Sequence, residues 1–363
     1  MTQTEIARLL GVSQGTVSMA LNHPESTKVS REIREKIVRF CKERKLTRSV
    51  SRHQTWNIGF LVNKLCFRDE PFYRPVLEGV ESAAKKYGYS LMLELYRERQ
   101  TVKMVKYQKV DGVILLAGWV SPHQAQSLAG KPVVLCNEAN NRISCDSVIP
   151  DAQAIMLLPI RHLLELGHRR IAHFSLMPKK KHPFCEITQS SLRAQAFLHI
   201  ASIFGTFEDL LFCREMETPG LPQTRRALEE ELDEAMSRKE PPTAIVATDQ
   251  YLCILREILA ERGLRVPEDI SLAGIDNLDR FNQDSPFFTS VDMRFEYMGR
   301  TAVKLLHERI LDPEKPHEKV LYEPELILRK STAPPRGSPD LQITHKQNNH
   351  PEKKDNDHAE RQE

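Results

Sequence analysis

The chain has 363 residues, 40% hydrophobic and 28% charged, with a formal net charge of +3. That balance suits a soluble globular protein of two or three domains. No apolar run approaches the roughly 18 residues that spanning a bilayer takes. MTQTEIARLL has neither the basic start nor the apolar stretch of a secretory signal, so a cytoplasmic protein with no membrane contact is expected. Seven scattered cysteines without a CxxC pair argue against disulfides and a structural zinc site.

The charge is unevenly placed. Residues 1–56 carry eleven Lys or Arg and five Asp or Glu, a net +6, which leaves −3 on the remainder. A basic head on a mildly acidic body suggests a module that meets a polyanion, although a solvated helix face has the same composition.

The first predicted helix opens with Thr2 and Glu5 in the capping-box form T-x-x-E. Ile6, Leu9 and Leu10 follow on one face. Gly11 ends it, because glycine turns left-handed without strain, and Ser13 can cap the second helix. In that helix Val17, Ala20 and Leu21 point inward and Gln14, Gly15, Ser18 and Met19 outward. A third helix from about Ser30 carries Val29, Ile33, Ile37 and Phe40 as its buried stripe. Three short helices with a tight first turn follow the helix-turn-helix plan. The spacing alone fits an ordinary three-helix packing unit equally well.

The residues themselves go further. TQTEIARLLGVSQGTVSMALN resembles the head of the lactose-repressor (LacI) family, T-x-x-D-V-A-x-x-A-G-V-S-x-x-T-V-S-R-x-L-N, with Thr2, Ala7, Gly11, Val12, Ser13, Thr16, Val17, Ser18, Leu21 and Asn22 matching. KVSREIREKIVRFCKERKL is similar to the family's third helix. The resemblance implies a DNA-binding domain over 1–46, in which Gln14, Gly15 and Met19 stand where base edges are read. Thr16, Ser18 and Asn22 would grip phosphates or brace the helix, and Thr4 and Ser13 complete the DNA-binding set. The family usually has Arg where this chain has Met19, so a guanine-reading fork is absent, whereas Gln14 retains a two-pronged match to adenine. An operator half-site unlike the common family one is expected.

The linker over 47–57, TRSVSRHQTWN, is shorter than the family's by about five residues. In the family this segment forms a hinge helix that wedges a leucine into the minor groove. TRSV resembles the usual A-R-S-L, which makes Val50 the implied wedge.

From Ile58 the pattern changes. IGFLV, SLMLELY, GVILLAG and PVVLCN read as short apolar strands, separated by helical stretches such as RPVLEGVESAAKKYGY. RRIAHFSL, DLLFC, TAIVATD and ISLAGID restart the alternation. This predicts an α/β body of two doubly wound parallel sheets. Such halves resemble the periplasmic-binding-protein-like core of the LacI family. HLLELGHRRIAHF, PTAIVATDQYLCILREILAERGLRVPEDISLAGIDN and SPFFTSVDMRFEYMGRTAVKLL each resemble a family phrase. The likeness implies a ligand-binding core over 58–330. Its N-subdomain covers about 58–157 and 291–321, its C-subdomain about 158–290 and 322–330. A ligand would lie in the cleft between them, at the carboxyl ends of the strands.

By the same resemblance, Arg193 and Asp276 bind ligand hydroxyls or a carboxylate, and Phe72 and Tyr73 wall the pocket. Asn137 stands where many members have aspartate, and Thr248 where many have asparagine, with Asp249 beside it. Paired donors and acceptors beside an aromatic face suit a polar, sugar-like effector. Each residue also has a structural alternative: Asp276 and Asp249 could cap helices, Arg193 could form an internal ion pair, and Phe72 and Tyr73 could be core.

His162, His168 and His173 lack ligand spacing, and no catalytic triad, GxGxxG or phosphate loop is present. No metal, no cofactor and no enzymatic activity are expected. The tail from Ser331 to Glu363 is polar and expected to be disordered. It has no leucine heptads for a tail-mediated tetramer. The expectation is a homodimeric repressor on a palindromic double-stranded operator, answering a small effector such as a carbohydrate; the alternative is a regulator whose core answers a protein partner or has lost its ligand.

Overall fold

The computed structural model describes residues 3–22, 28–43, 55–63, 72–96, 101–116, 120, 122–137, 143–178, 189–205, 207–216, 221–278 and 286–336. Residues 47–54 of the hinge expected over 47–57, with its Val50 wedge, the side chain of Asn22 and residues 337–363 lie outside this description.

The head consists of α1 (Gln3–Leu10), α2 (Gln14–Asn22) and α3 (Arg31–Glu43). Gly11 turns the chain at φ +67°, a conformation that a side chain resists. The Val12 amide closes the turn by donating to the Ala7 carbonyl at 3.0 Å. Ile6, Ala7, Val17, Ala20, Val29, Ile37 and Cys41 form the buried set. Of the other residues in the expected stripes, Leu10, Leu21 and Phe40 are partly buried against this set, whereas Leu9 is 52% and Ile33 37% exposed. Such short helices approach closely, so the small Ala7 is buried where Leu9 was expected. Arg34 reaches from α3 to the Ala20 carbonyl at 3.2 Å, which leaves the neighbouring Ile33 turned outward.

The body alternates strands and helices. In chain order come β1 (Asn57–Asn63), α4 (Tyr73–Lys86), β2 (Ser90–Tyr96), α5 (Lys103–Lys106), β3 (Gly112–Leu116), α6 (Pro122–Leu128), β4 (Val133–Cys136) and β5 (Asp146–Pro150). There follow α7 (Ala152–Glu165), β6 (Ile171–Pro178), α8 (Gln189–Phe204), β7 (Leu211–Met216), α9 (Leu221–Met236), β8 (Ala244–Thr248), α10 (Asp249–Glu261), β9 (Ser271–Ile275) and β10 (Thr289–Asp292). The last elements are α11 (Phe295–Leu311), β11 (Lys319–Tyr322) and β12 (Glu325–Ile327).

The first sheet has the order β11-β5-β4-β3-β1-β2, with every pair parallel. The second has the order β12-β10-β9-β8-β6-β7, parallel except where β12 runs against β10. Parallel strands covered on both faces read as unbroken apolar runs, and every residue of β3 and β9 is buried. Helices α4 and α11 cross closely on the first sheet. Gly79 faces the Glu296 carbonyl and Gly299 the Val76 carbonyl, at distances that leave no room for a Cβ.

The chain crosses between the sheets three times: at Pro150–Ala152, Asp292–Phe295 and Tyr322–Glu325. Each crossing joins carboxyl ends of strands in the first sheet to the corresponding end of the second. The expected change-over near residue 158 falls inside α7, which packs on α8 and the second sheet, so the first crossing lies at Asp151. Asp151 also caps α7, accepting from the Gln153 and Ala154 amides.

The segment 331–336 is packed, against the expectation that the tail is disordered from Ser331. Ser331 is fully buried; its Oγ accepts from the Thr289 amide at 2.8 Å, and its carbonyl accepts from the Leu272 amide at 2.8 Å. The Ala333 amide donates to Ser271 Oγ at 3.0 Å, and the Ala333 carbonyl accepts from His168 Nε2 at 2.8 Å. Hydrogen bonds fix this segment, which is why its polar composition misleads.

Candidate nucleic-acid interface and ligand cleft

In the head, Ser13 Oγ accepts from the Thr16 amide at 3.0 Å and lies 2.8 Å from Thr16 Oγ1. These bonds fix the first turn of α2 as an N-cap does. Thr4, Ser13, Gln14 and Gly15 are exposed, while Thr16 and Ser18 are half-buried. Met19 is half-buried and packs against the head core beside Val12 and Leu21. The outward face of α2 is thus carried by its first turn, and Met19 is only partly available to a partner. Arg31, Lys36 and Arg39 on α3 are exposed as well.

In the body, Asn137, Thr248, Asp249 and Asp276 stand at or next to carboxyl strand ends, Phe72 and Tyr73 at the start of α4, and Arg193 in the second turn of α8. Arg193 on α8 and Asp276 after β9 come together, Nη1 to Oδ1 at 4.0 Å, with side chains 12% and 15% exposed. Asp276 takes φ +97°. Burial raises its carboxyl above the usual range, with the Arg193 charge opposing. Thr248 pairs in register with Ile275, which sets it beside the Asp276 turn. Asn137 ends β4 at φ +71°, and its buried Oδ1 has no hydrogen-bond partner among the described residues. Phe72 stacks on Phe295 with centroids 5.3 Å apart, and Tyr73 is half-buried against the core.

Asp249 is brought to a different task. It is 2% exposed. Oδ2 accepts from the Leu278 amide and Oδ1 from Ser290 Oγ, both at 2.7 Å. Gly274 is the neighbour that leaves room for this carboxylate. Asp249 thus holds the Asp276 turn from behind.

A bonded network of residues that the sequence reading passed over continues from there. Ser290 Oγ accepts from the Asn277 amide at 3.1 Å, and Asn277 Nδ2 donates to Asp292 Oδ2 at 3.0 Å. Arg329 Nη2 donates to Asn277 Oδ1 at 2.6 Å, and Asp292 Oδ1 accepts from the Arg294 amide at 2.7 Å. Tyr322 Oη donates to the Met293 carbonyl at 2.8 Å. The Asp276 turn is therefore wired to two of the crossings. Of these two, only the crossing at Asp292–Phe295 had a sequence signal, the run SPFFTSVDMRF.

The histidines are structural. His162 Nε2 meets Thr332 Oγ1 at 2.9 Å, His168 Nδ1 meets Thr243 Oγ1 at 2.8 Å, and His173 Nδ1 donates to the Val246 carbonyl at 2.9 Å. Burial pushes His168 and His173 down to about 4. No group of three or more potential metal-ligating side chains is gathered among the described residues, and no described helix is long and apolar enough to cross a membrane.

Two family models match the chain. Bacterial regulatory proteins of the lacI family match over residues 2–45, and a periplasmic binding protein-like domain over 160–332. The chain belongs to the LacI family. It is 27% identical over 352 residues to the HTH-type transcriptional repressor PurR of Photobacterium profundum, covering 91% of this chain and 98% of that protein. It is 26% identical over 343 residues to the ribose operon repressor of Haemophilus influenzae, with coverage of 91% and 98%. Among solved structures, the complex of the transcriptional regulator CelR with cellobiose superposes with a TM-score of 0.64 at 26% identity, covering 91% of this chain and 99% of that one. LacI-family members are DNA-binding transcription regulators rather than enzymes. The family's helix-turn-helix corresponds to α1 and α2, and its two-sheet core to β1–β12.

Proposed function

We propose that this LacI-family protein represses transcription as a homodimer on a two-fold symmetric operator, and that a small, sugar-like ligand in the cleft changes its hold on DNA. Two-fold protein symmetry matches palindromic DNA. In this reading Gln14 reads a base edge, Gly15 lets the backbone approach, and Thr4, Ser13, Thr16, Ser18 and Asn22 position the helix; Met19 contributes what its half-buried side chain can reach. The edge strand β2, with Leu93 and Leu95 exposed, offers a surface of the kind that a second copy covers. The bacterial cytoplasm is where such a protein would work.

One observation carries the ligand response: the Arg193–Asp276 pair lies on a turn bonded through Asn277 and Asp292 to a crossing. A ligand that engages the pair in one closure state and not in the other shifts the balance by its differential affinity. The ribose operon repressor and the cellobiose complex among the relatives make sugars the first compounds to test.

The test has two arms. Duplexes selected from a random pool at near-physiological salt should show an inverted repeat. Thermal stability should rise with ribose, cellobiose or a related sugar, and Asp276→Asn should abolish that rise. Stabilisation by no sugar or nucleoside, with an inverted repeat still selected, would leave the core answering a protein partner instead.

A further inference from the structure

The first sheet presents two ends. Its carboxyl end carries the crossings and the ligand residues. Its amino end is where the linker enters, and this end is basic. The entry is clamped: Asp111 accepts from the Thr55 amide at 2.8 Å and Thr55 Oγ1 at 3.0 Å through Oδ1, and from the Trp56 amide at 2.9 Å through Oδ2. Around this clamp stand Lys85 and Lys86 at the end of α4, Lys106 at the end of α5, and Lys109 before β3. All four are exposed, and none forms an ion pair with a described carboxylate. Asn57 Nδ2 donates to the Lys109 carbonyl at 3.1 Å, which places Lys109 beside the linker entry. Trp56 is 52% exposed and leans on Tyr89 at 5.9 Å between centroids; Lys106 stands 5.7 Å over the ring of Tyr107, itself 61% exposed.

Asp111 and Glu94, the latter lining the same hollow as Lys106 and Lys109, set two negative charges against the four lysines and Lys103, so the patch stays net positive. All of Asp111's accepting capacity shown above faces the linker. Glu308 and Glu318 pair with Lys315 beside β11, at the far edge of the sheet. Lysines at helix ends complement the local dipole, which accounts for Lys85, Lys86 and Lys106 one at a time. It does not account for Lys109, or for the gathering of all four about the linker.

Distance completes the argument. Residues 44–54 join the described end of α3 to the clamp. Fully extended they reach at most roughly 3.3–3.6 Å per residue, and as a helix only about 1.5 Å per residue. A head seated on a duplex therefore holds this end of the body within about one or two duplex widths of the phosphates, more closely than the longer family linker would.

We propose that the amino end of the first sheet is a second DNA-contact surface, on which Lys85, Lys86, Lys106 and Lys109 hold phosphates of the duplex seated by the head. This rests on the reading that the head binds DNA. The contact is sequence-independent, adding affinity where Met19 and Gly15 add little discrimination.

The test uses the intact protein, a selected duplex and a scrambled duplex of equal length, titrated over a salt series. Replacing the four lysines by glutamine should weaken binding to both duplexes at least tenfold near physiological salt. The slope of log Kd against log salt should fall by roughly 0.9 for each lysine that meets a phosphate. The preference for the selected duplex and the melting temperature should stay as they are. The quadruple Lys→Arg variant should keep the slope, and Lys239→Gln, in the loop before β8, should change nothing. If the quadruple glutamine variant melts early, Lys86→Gln and Lys109→Gln separately should each lower the slope by one step. Wild-type slopes in the glutamine variants overturn this proposal alone; a wild-type protein with no salt-dependent DNA binding overturns the head reading with it.

Discussion

The Tyr322 hydroxyl donates to the Met293 carbonyl at 2.8 Å, and the Tyr322 carbonyl accepts from the Asp151 amide at 3.0 Å. One residue thereby ties together all three crossings. Its ring is 8% exposed and meets Tyr297 edge-on at 5.4 Å. Tyr322→Phe keeps the ring and removes one buried bond, leaving the Met293 carbonyl unsatisfied. The expected loss is about 1–3 kcal/mol in urea unfolding, with faster amide exchange at residues 292–295 than in distant strands. Exchange that speeds up equally everywhere would show that the bond supports global stability alone.

Arg309 and Asp146 form a buried pair, side chains 5% and 0% exposed, joined at 2.9 Å and 3.0 Å. Burial alone would raise the Asp146 carboxyl; the Arg309 bonds and the Glu318 amide bring it below its ordinary value. The guanidinium also holds the carbonyls of Pro313, Lys315 and Pro316, so it closes the turn into β11. Arg309→Met leaves a buried carboxylate alone and is expected to cost about 3–5 kcal/mol. A loss under 1 kcal/mol, by chemical denaturation, would show that water reaches Asp146 in the variant.

Glu231 on α9 is 2% exposed, and neither carboxyl oxygen has a hydrogen-bond partner among the described residues. Burial pushes its carboxyl up to about 8, against the pull of the Arg214 charge. The unfolded chain releases this proton near 4.5. Between those values the fold holds the proton that the unfolded chain has lost, so the contribution of Glu231 to stability falls as pH rises, by about 1.4 kcal/mol per pH unit. Glu231→Gln should match the wild type near pH 4.5 and exceed it by about 3 kcal/mol at pH 7. The same gain at both pH values would rule out ionisation as the cause.

Ser13→Ala removes the cap of α2. The expected cost is about 1 kcal/mol, confined to the head, so limited proteolysis should cut the head sooner while the melting of the body is unmoved. A shift of the body's transition would mean that the two unfold together.

How much was legible follows from the range over which each feature is encoded. The three head helices, the turn at Gly11 and the cap at Ser13 are local, and period and turn chemistry within about twenty residues specify them. β1, β3, β4, β6, β8 and β9 are apolar runs because parallel strands are covered on both faces, whereas the edge strand β2 leaves Leu93 and Leu95 exposed. In contrast, β5, β10, β11 and β12 each carry a charged residue: Asp146, Asp292, Lys319 and Glu325. Asp146 is tolerable in β5 only because Arg309 arrives from a helix more than 160 residues later in the chain.

The sequence alone thus determined the family, the basic head and the two-sheet body. Tertiary structure decided the tasks of single polar residues. It made Asp249 a brace and paired Arg193 with Asp276. It buried Ser331 in what reads as a tail, and joined three crossings at Tyr322. The reason is physical. Periodicity records which side chains leave water, whereas a buried donor or acceptor is defined by a partner that distant chain segments bring to it.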